Sequence, residues 1–232
     1  MNTLKQTARK AGILYLIMGI TGAYGLMYVP AQLVIEGDLT TTATNIINEQ
    51  WLYNSGIIGQ LICQVIFIYL VLELSKLFKA VDAGLTKQMI TLVIVSIPIA
   101  FLTVVFQGGG LFILTDLQGA FTKEESESLF NLFFKLWENG INVVQVFWGL
   151  WLIPFGLLVN KSKFMPRVIG LLLIIGGIGY VIASFSYFMI PTYAKTIATY
   201  STIPSALGEF SAIFYLLIKG VNEKGLGQTI NS

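Results

Sequence analysis

Residues 168–190 read VIGLLLIIGGIGYVIASFSYFMI, a run of 23 residues without a charge. A bilayer's hydrocarbon core is roughly 30 Å thick, and about 20 apolar residues in a helix cross it. The stretch therefore reads as a transmembrane helix. Ahead of it lie Lys161, Lys163, Pro166 and Arg167. The basic residues mark the loop as cytoplasmic. Pro166 starts the helix at a position where a missing N–H costs nothing.

Five further stretches of similar character lie outward from this one, near Ala11 to Ile35, Leu52 to Leu72, Met89 to Leu114, Asn139 to Val159 and Thr199 to Ile218. The six use more than half of the 232 residues, which leaves no room for a second globular domain. The expected architecture is all-α, a single polytopic bundle of six transmembrane helices over residues 1–232. Composition agrees. Hydrophobic residues make up 55% and charged residues 11%, against about 25% charged in a typical soluble domain. Mean hydropathy is +0.77.

Lys and Arg in short loops set orientation. One side carries Lys5, Arg9, Lys10, Lys76, Lys79, Lys87, Lys161, Lys163, Arg167, Lys219 and Lys224, the other only Lys123, Lys135 and Lys195. Acidic Glu36, Asp38, Glu49, Asp116, Glu124, Glu125 and Glu127 take the second side. Both termini are thus expected in the cytoplasm. The net charge of +2 carries no nucleic-acid signal, since the basic residues are the topology signal itself. The first apolar run exceeds the 7–15 residues of a signal-peptide core, so it reads as a retained helix.

There is no histidine. His-ligated haem or zinc, Ser–His–Asp catalysis and imidazole relays are excluded, and no cofactor motif replaces them. Cys63 is the single cysteine. It rules out an intramolecular disulfide and reads as a small buried hydrophobe.

Two outer loops suggest short interfacial helices. Ala43, Ile46, Ile47 and Trp51 follow helical spacing behind a Thr-rich start. Thr122 and Glu125 have capping-box spacing ahead of Leu129, Phe130, Phe133, Phe134 and Trp137, a helix that leads straight into span four. Ala8, Gly12, Gly19 and Ala23 in span one, with Gly179 and Ala183 in span five, mark faces where helix backbones approach closely. Gly108, Gly109 and Gly110 suggest a break or an end in span three, because each glycine weakens a helix by roughly 1 kcal/mol relative to Ala.

Polar groups within the spans carry the functional argument. At about 1.5 Å per residue, Glu209 and Gln64 lie roughly 14 Å from the cytoplasmic helix ends, near mid-membrane. Gln60, Tyr180 and Gln145 come out at roughly 18–20 Å by the same rise. Glu138, Asn142 and Gln107 lie nearer the outer surface. Lys135, Glu138, Asn142, Gln145 and Gly149 make one stripe of span four, and Gln60 and Gln64 share a face. An acid at a helix centre costs about 2.5–3.5 kcal/mol and usually faces the bundle interior. These residues are expected to line an outward-facing polar cavity with Glu209 at its floor. The plainer alternatives are a Glu138–Lys135 pair, glutamines and Asn142 that bond neighbouring helices, and a structural Glu209 bonded to Gln64 or Tyr180.

Residues 162–170, Ser162-Lys163-Phe164-Met165-Pro166-Arg167-Val168-Ile169-Gly170, resemble the bacterial membrane family called domain of unknown function 4386. So do Ala8 to Tyr15, the loop Thr42 to Ile46 and the ending Leu207-Gly208-Glu209 through Val221. The resemblance spans nearly the whole chain. It implies a multi-helix protein of the bacterial inner membrane and transfers no catalytic residue. Many relatives carry a histidine near the start of span four, where this chain has Trp137-Glu138-Asn139-Gly140.

Three functions remain open. The leading one is non-enzymatic: binding or passing a small or amphiphilic molecule, with Glu209 as anchor or protonation site and Gln64, Gln60, Gln145 and Asn142 as partners. A second is an intramembrane lipid-modifying enzyme using Glu138 and Glu209. The third is a structural or regulatory subunit that packs by its small-residue faces on a membrane partner or on a second copy. The lipid bilayer is the surrounding partner in each.

Overall fold

The computed structural model describes residues 3–115 and 119–221. Asp116 and Lys224, which enter the orientation argument, lie outside them. The described residues are helical, with no strand among them: α1 (Thr3–Ala23), a π-helical turn (Tyr24–Tyr28), α2 (Val29–Leu33), α3 (Leu39–Asn48), α4 (Gln50–Phe78), α5 (Ala83–Leu114), α6 (Lys123–Leu150), α7 (Leu152–Ser162), α8 (Arg167–Met189), α9 (Pro191–Ser201) and α10 (Ile203–Ile218). Six helical stretches are long and apolar enough to cross a membrane: Leu4–Leu33, Gln50–Phe78, Ala83–Leu114, Lys123–Ser162, Arg167–Met189 and Pro191–Ile218. They are called spans one to six below. Their centres agree with the sequence expectation, and most extend further at their ends.

Two compact units divide the chain. One takes in Met1–Leu16, Ile66–Ile97 and Asn142–Ser232, the other Ile17–Val65 and Pro98–Ile141.

In the first unit, α8 has two working faces and one idle face. Val168, Leu171, Ile175, Ile178, Ile182 and Phe185, alternating by three and four, are all exposed and form the stripe that lipid would wet. The glycines point elsewhere. A Cβ on Gly177 would lie 2.6 Å from the Gly149 carbonyl oxygen, and one on Gly170 would lie 2.6 Å from that of Gly156. The opposite pairings are as tight, so α8 touches α6 and α7 backbone to backbone at two points seven residues apart. On its other side Gly176 abuts Ser205, Gly179 abuts the carbonyl of Ser201, and Leu172 and Leu173 meet Gly208. In lipid, where burial of apolar surface gives little drive, such close approach supplies the van der Waals attraction that holds helices together.

The loop ahead of α8 is tied down by its own residues. Lys163 adopts a left-handed conformation (φ 56°), uncommon for a side-chain-bearing residue. That bend turns Phe164 and Met165 inward, where both are buried. The Tyr215 hydroxyl donates to the Phe164 carbonyl at 2.7 Å, and Lys161 pairs with Asp82 at 2.7 Å. At the start of α1, Ala8 and Ala11 are fully buried, and Gly12 lets the backbone meet Leu216 and Leu217. Glu73, 6% exposed, is held by Lys10 at 2.5 Å and Lys76 at 2.9 Å.

The second unit is organised by a defect in span one. Helix α1 widens to a π turn at Tyr24–Tyr28, in which Val29 N–H reaches the Tyr24 carbonyl. The next donor in that register would be residue 30, aimed at the Gly25 carbonyl. Residue 30 is proline and has no N–H. Gln60 Nε2 donates to the Gly25 carbonyl instead, at 3.2 Å. Gly25 is required here, since a Cβ would lie 2.6 Å from the Gly56 carbonyl oxygen. Beyond this, Val29, Leu33, Ala43, Ile46, Tyr53, Phe130 and Phe134 form one buried cluster.

The Thr-rich loop forms α3 as expected, with Asp38 capping it by accepting from Thr41 N–H at 2.9 Å. The Thr122–Glu125 capping box also forms: Thr122 N–H donates to Glu125 Oε2 at 2.8 Å and Glu125 N–H to Thr122 Oγ1 at 3.3 Å. Its helix leads straight into span four, as expected. It runs unbroken as α6 to Leu150, and Gly140 does not interrupt it. The three glycines do not end α5 either. The helix continues to Leu114, and the missing side chains of Gly109 and Gly110 admit the rings of Phe133 and Phe130. An amphipathic piece missing from the sequence reading is α9, which enters span six from Pro191.

Candidate functional site

In span six the residues Ser201, Ser205 and Glu209 recur at intervals of four, which places them on one helix face. Helix α9 gives way to α10 at Thr202, still in a helical conformation (φ −92°, ψ −8°), so the face carries through a slight kink. Pro204 accounts for the kink by withholding an N–H from the preceding turn. Ser205 Oγ donates to the Thr202 carbonyl at 2.6 Å. The Ser201 hydroxyl is buried without a hydrogen-bond partner.

Glu209 is half-buried on this face. Tyr15, 1% exposed, donates its phenolic hydrogen to Glu209 Oε2 at 2.8 Å. None of the ion pairs among the described residues includes Glu209. From α8, half-buried Tyr180 has its Cβ against Gly149, where an added side chain would run into it. Behind Tyr15 stands an aromatic wall. Its ring lies 5.9 Å from Trp151 and 6.4 Å from Phe155, which stack on each other at 5.4 Å.

The other candidates take varied places. Gln60 and Gln107 form a buried amide pair, with Gln60 Nε2 donating to Gln107 Oε1 at 2.8 Å, while the Tyr53 hydroxyl donates to the Gln107 backbone carbonyl at 3.3 Å. Gln64, 4% exposed, leaves its Oε1 without a partner. Glu138 bonds to Lys135 at 2.6 Å, the plainer of its two readings. The Asn142 backbone carbonyl accepts from Ser184 Oγ at 2.6 Å. Gln145 is half-buried on α6. Gly149, at the end of the span-four stripe, packs against Gly177, so that end is a helix contact.

Thus Tyr180, Glu209, Asn142 and Gln145 belong to the first unit. Gln60, Gln64, Gln107 and Glu138 belong to the second. Glu209 takes its hydrogen bond from Tyr15, a residue absent from the sequence reading of the site. Ser201 and Ser205 were also missed, although their four-residue spacing from Glu209 is visible in the sequence.

The family described as Domain of unknown function (DUF4386) matches residues 10–220 of the chain. The chain belongs to this family. The match takes in spans two to six of this DUF4386 protein, span one from residue 10 onward, and every candidate residue above. No curated protein and no solved structure matches the chain.

Proposed function

We propose that this DUF4386 protein resides in a bacterial inner membrane with both termini in the cytoplasm and binds or passes a small or amphiphilic molecule through polar groups set within its spans. Glu209 is the anchor. In the same unit, Tyr180, Asn142 and Gln145 supply further hydrogen-bonding capacity to an outward-facing cavity.

One observation carries the reading. Glu209 sits in an apolar span with a phenol as its hydrogen-bond partner and no ion pair among the described residues. An acid at a helix centre costs about 2.5–3.5 kcal/mol. A neutral glutamine would meet a purely architectural need for the Tyr15 hydrogen bond at lower cost. A carboxylate adds the ability to carry charge and to exchange a proton.

The partner-subunit reading has less support. Gly12, Gly179 and Ala183, three of its proposed interface residues, are buried within the chain, while Gly19 and Ala23 in span one stay exposed. Mass spectrometry of molecules co-purifying with the wild type and with Glu209→Gln tests the binding reading. Uptake and efflux assays in vesicles then separate carriage from retention.

A further inference from the structure

We infer that the exposed face of α8 holds one anionic phospholipid, with its phosphate on Lys163 and Arg167 and an acyl chain along the apolar row that Arg167 heads. The site stands apart from Glu209 and does not depend on that acid binding a ligand.

The first observation is the shape of the loop ahead of α8. Phe164 and Met165 turn inward and are buried, while Lys163, Pro166 and Arg167 stay exposed. The left-handed Lys163 makes that turn, and the Tyr215 hydroxyl holds it through the Phe164 carbonyl. Both cations therefore lie on the outer surface of a loop anchored from within. Little backbone ordering is left for a ligand to impose, which favours binding.

The second is what Arg167 stands over. Arg167, Leu171, Ile175 and Ile178 follow at steps of four, four and three, so they share one helix face. The three apolar residues are exposed, as is Val168 beside them. From Arg167 to Ile178 the helix rises roughly 16 Å. That is about one leaflet of a core roughly 30 Å thick. An acyl chain hung from a phosphate at Arg167 thus runs the length of the row.

The third is the balance of charge. In the same unit Lys161 is matched by Asp82, and Lys10 and Lys76 by Glu73. Lys163 and Arg167 take part in none of the ion pairs among the described residues. Orientation is served by cations anywhere in a short loop. Two uncompensated ones at the head of an exposed apolar row are, in addition, complementary to a lipid anion. Arginine offers phosphate oxygens a planar fork and lysine a compact charge. A zwitterionic headgroup brings its own cation toward them and gains less.

The test is native mass spectrometry of the full-length protein released from nanodiscs holding equal amounts of phosphatidylglycerol and phosphatidylcholine. Both leaflets carry the same lipids, so inverted insertion of a variant changes nothing. The wild type should retain one phosphatidylglycerol per chain in preference to phosphatidylcholine. A cation near an anionic surface is worth about five-fold in binding, so Lys163→Gln/Arg167→Gln should lose at least that much of the preference. Lys79→Gln/Lys87→Gln removes the same charge around the loop between spans two and three and should keep it. Lys163→Arg/Arg167→Lys preserves both charges and should keep it too.

Fluorescence places the chain. A Leu171→Trp reporter should be quenched more by phosphatidylglycerol brominated in its acyl chains than by brominated phosphatidylcholine, and the excess should shrink at high salt. Equal retention of the two lipids, an equal loss in Lys79→Gln/Lys87→Gln, or quenching that ignores the headgroup overturns the proposal. A dimer that carries no lipid does so as well and gives the face to a second copy. The wild-type comparison can refute the site by itself if Lys163→Gln/Arg167→Gln does not fold.

Discussion

The phenol of Tyr15 donates a 2.8 Å hydrogen bond to the carboxylate of Glu209, from a point 194 residues away in the chain. It joins the first transmembrane span to the last and holds the acid against an aromatic wall. A hydrogen bond to a charged group is worth about 1.5–3 kcal/mol. Tyr15→Phe keeps the ring packing on Trp151 and removes the bond. It should lower the thermal midpoint in detergent by a few degrees and weaken retention of any ligand bound at Glu209. An unchanged midpoint with unchanged retention would show that the bond contributes to neither.

The π turn in span one predicts a coupling between Pro30 and Gln60. Gln60→Leu leaves the Gly25 carbonyl buried without a donor and should cost about 1–3 kcal/mol. In a Pro30→Ala background a backbone N–H is restored at the position aimed at that carbonyl, so the same substitution should cost less. Urea or thermal unfolding of the four proteins measures the difference. A coupling near zero would mean that Gln60 acts only through its bond to Gln107.

Glycines in the two units should respond oppositely. A side chain at Gly179 runs into the Ser201 carbonyl, a contact with no flexible end to yield. Gly179→Leu should therefore abolish a monodisperse product on size-exclusion chromatography. Gly108 has open space where its Cβ would sit. Gly108→Ala should fold normally and gain up to about 1 kcal/mol from helix propensity. Equal tolerance at both positions would contradict the packing of spans five and six.

Asp82, in the loop between spans two and three, gives a pH signature. The Lys161 hydrogen bond, with help from the Leu85 N–H, holds its carboxyl below the ordinary value of 3.8. A group whose folded pKa is depressed contributes stability above its unfolded pKa and loses it as pH falls through the folded one. The wild type should thus lose more stability than Asp82→Asn on acidification below pH 3.8. Parallel stability curves in that window would show that the ion pair is immaterial. The pair is solvent-exposed, so the difference should shrink at high salt.

Helix existence was readable from the sequence because a membrane span is set by length and apolarity, both of which are local. The capping residue Thr122 was readable for the same reason. So was the run of the Thr122 helix straight into span four. The Thr122–Glu125 box marks where that helix begins, and no proline follows before Leu150. Gly109 and Gly110 were misread as a break because a glycine weakens a helix locally yet admits a ring, here Phe133, from a distant part of the chain. The acid of the candidate site was legible by its cost in lipid. Its partner was not, since Tyr15 is one phenol among ten tyrosines and only the packing of α1 on α10 selects it.

The central claim is that Glu209 anchors a ligand, and its most direct test is mass spectrometry of small molecules and lipids carried through purification by the wild type and by Glu209→Gln. The account predicts a specific species present with the wild type and missing from a folded Glu209→Gln. Identical profiles from two equally folded proteins would contradict it and make Glu209 a structural acid.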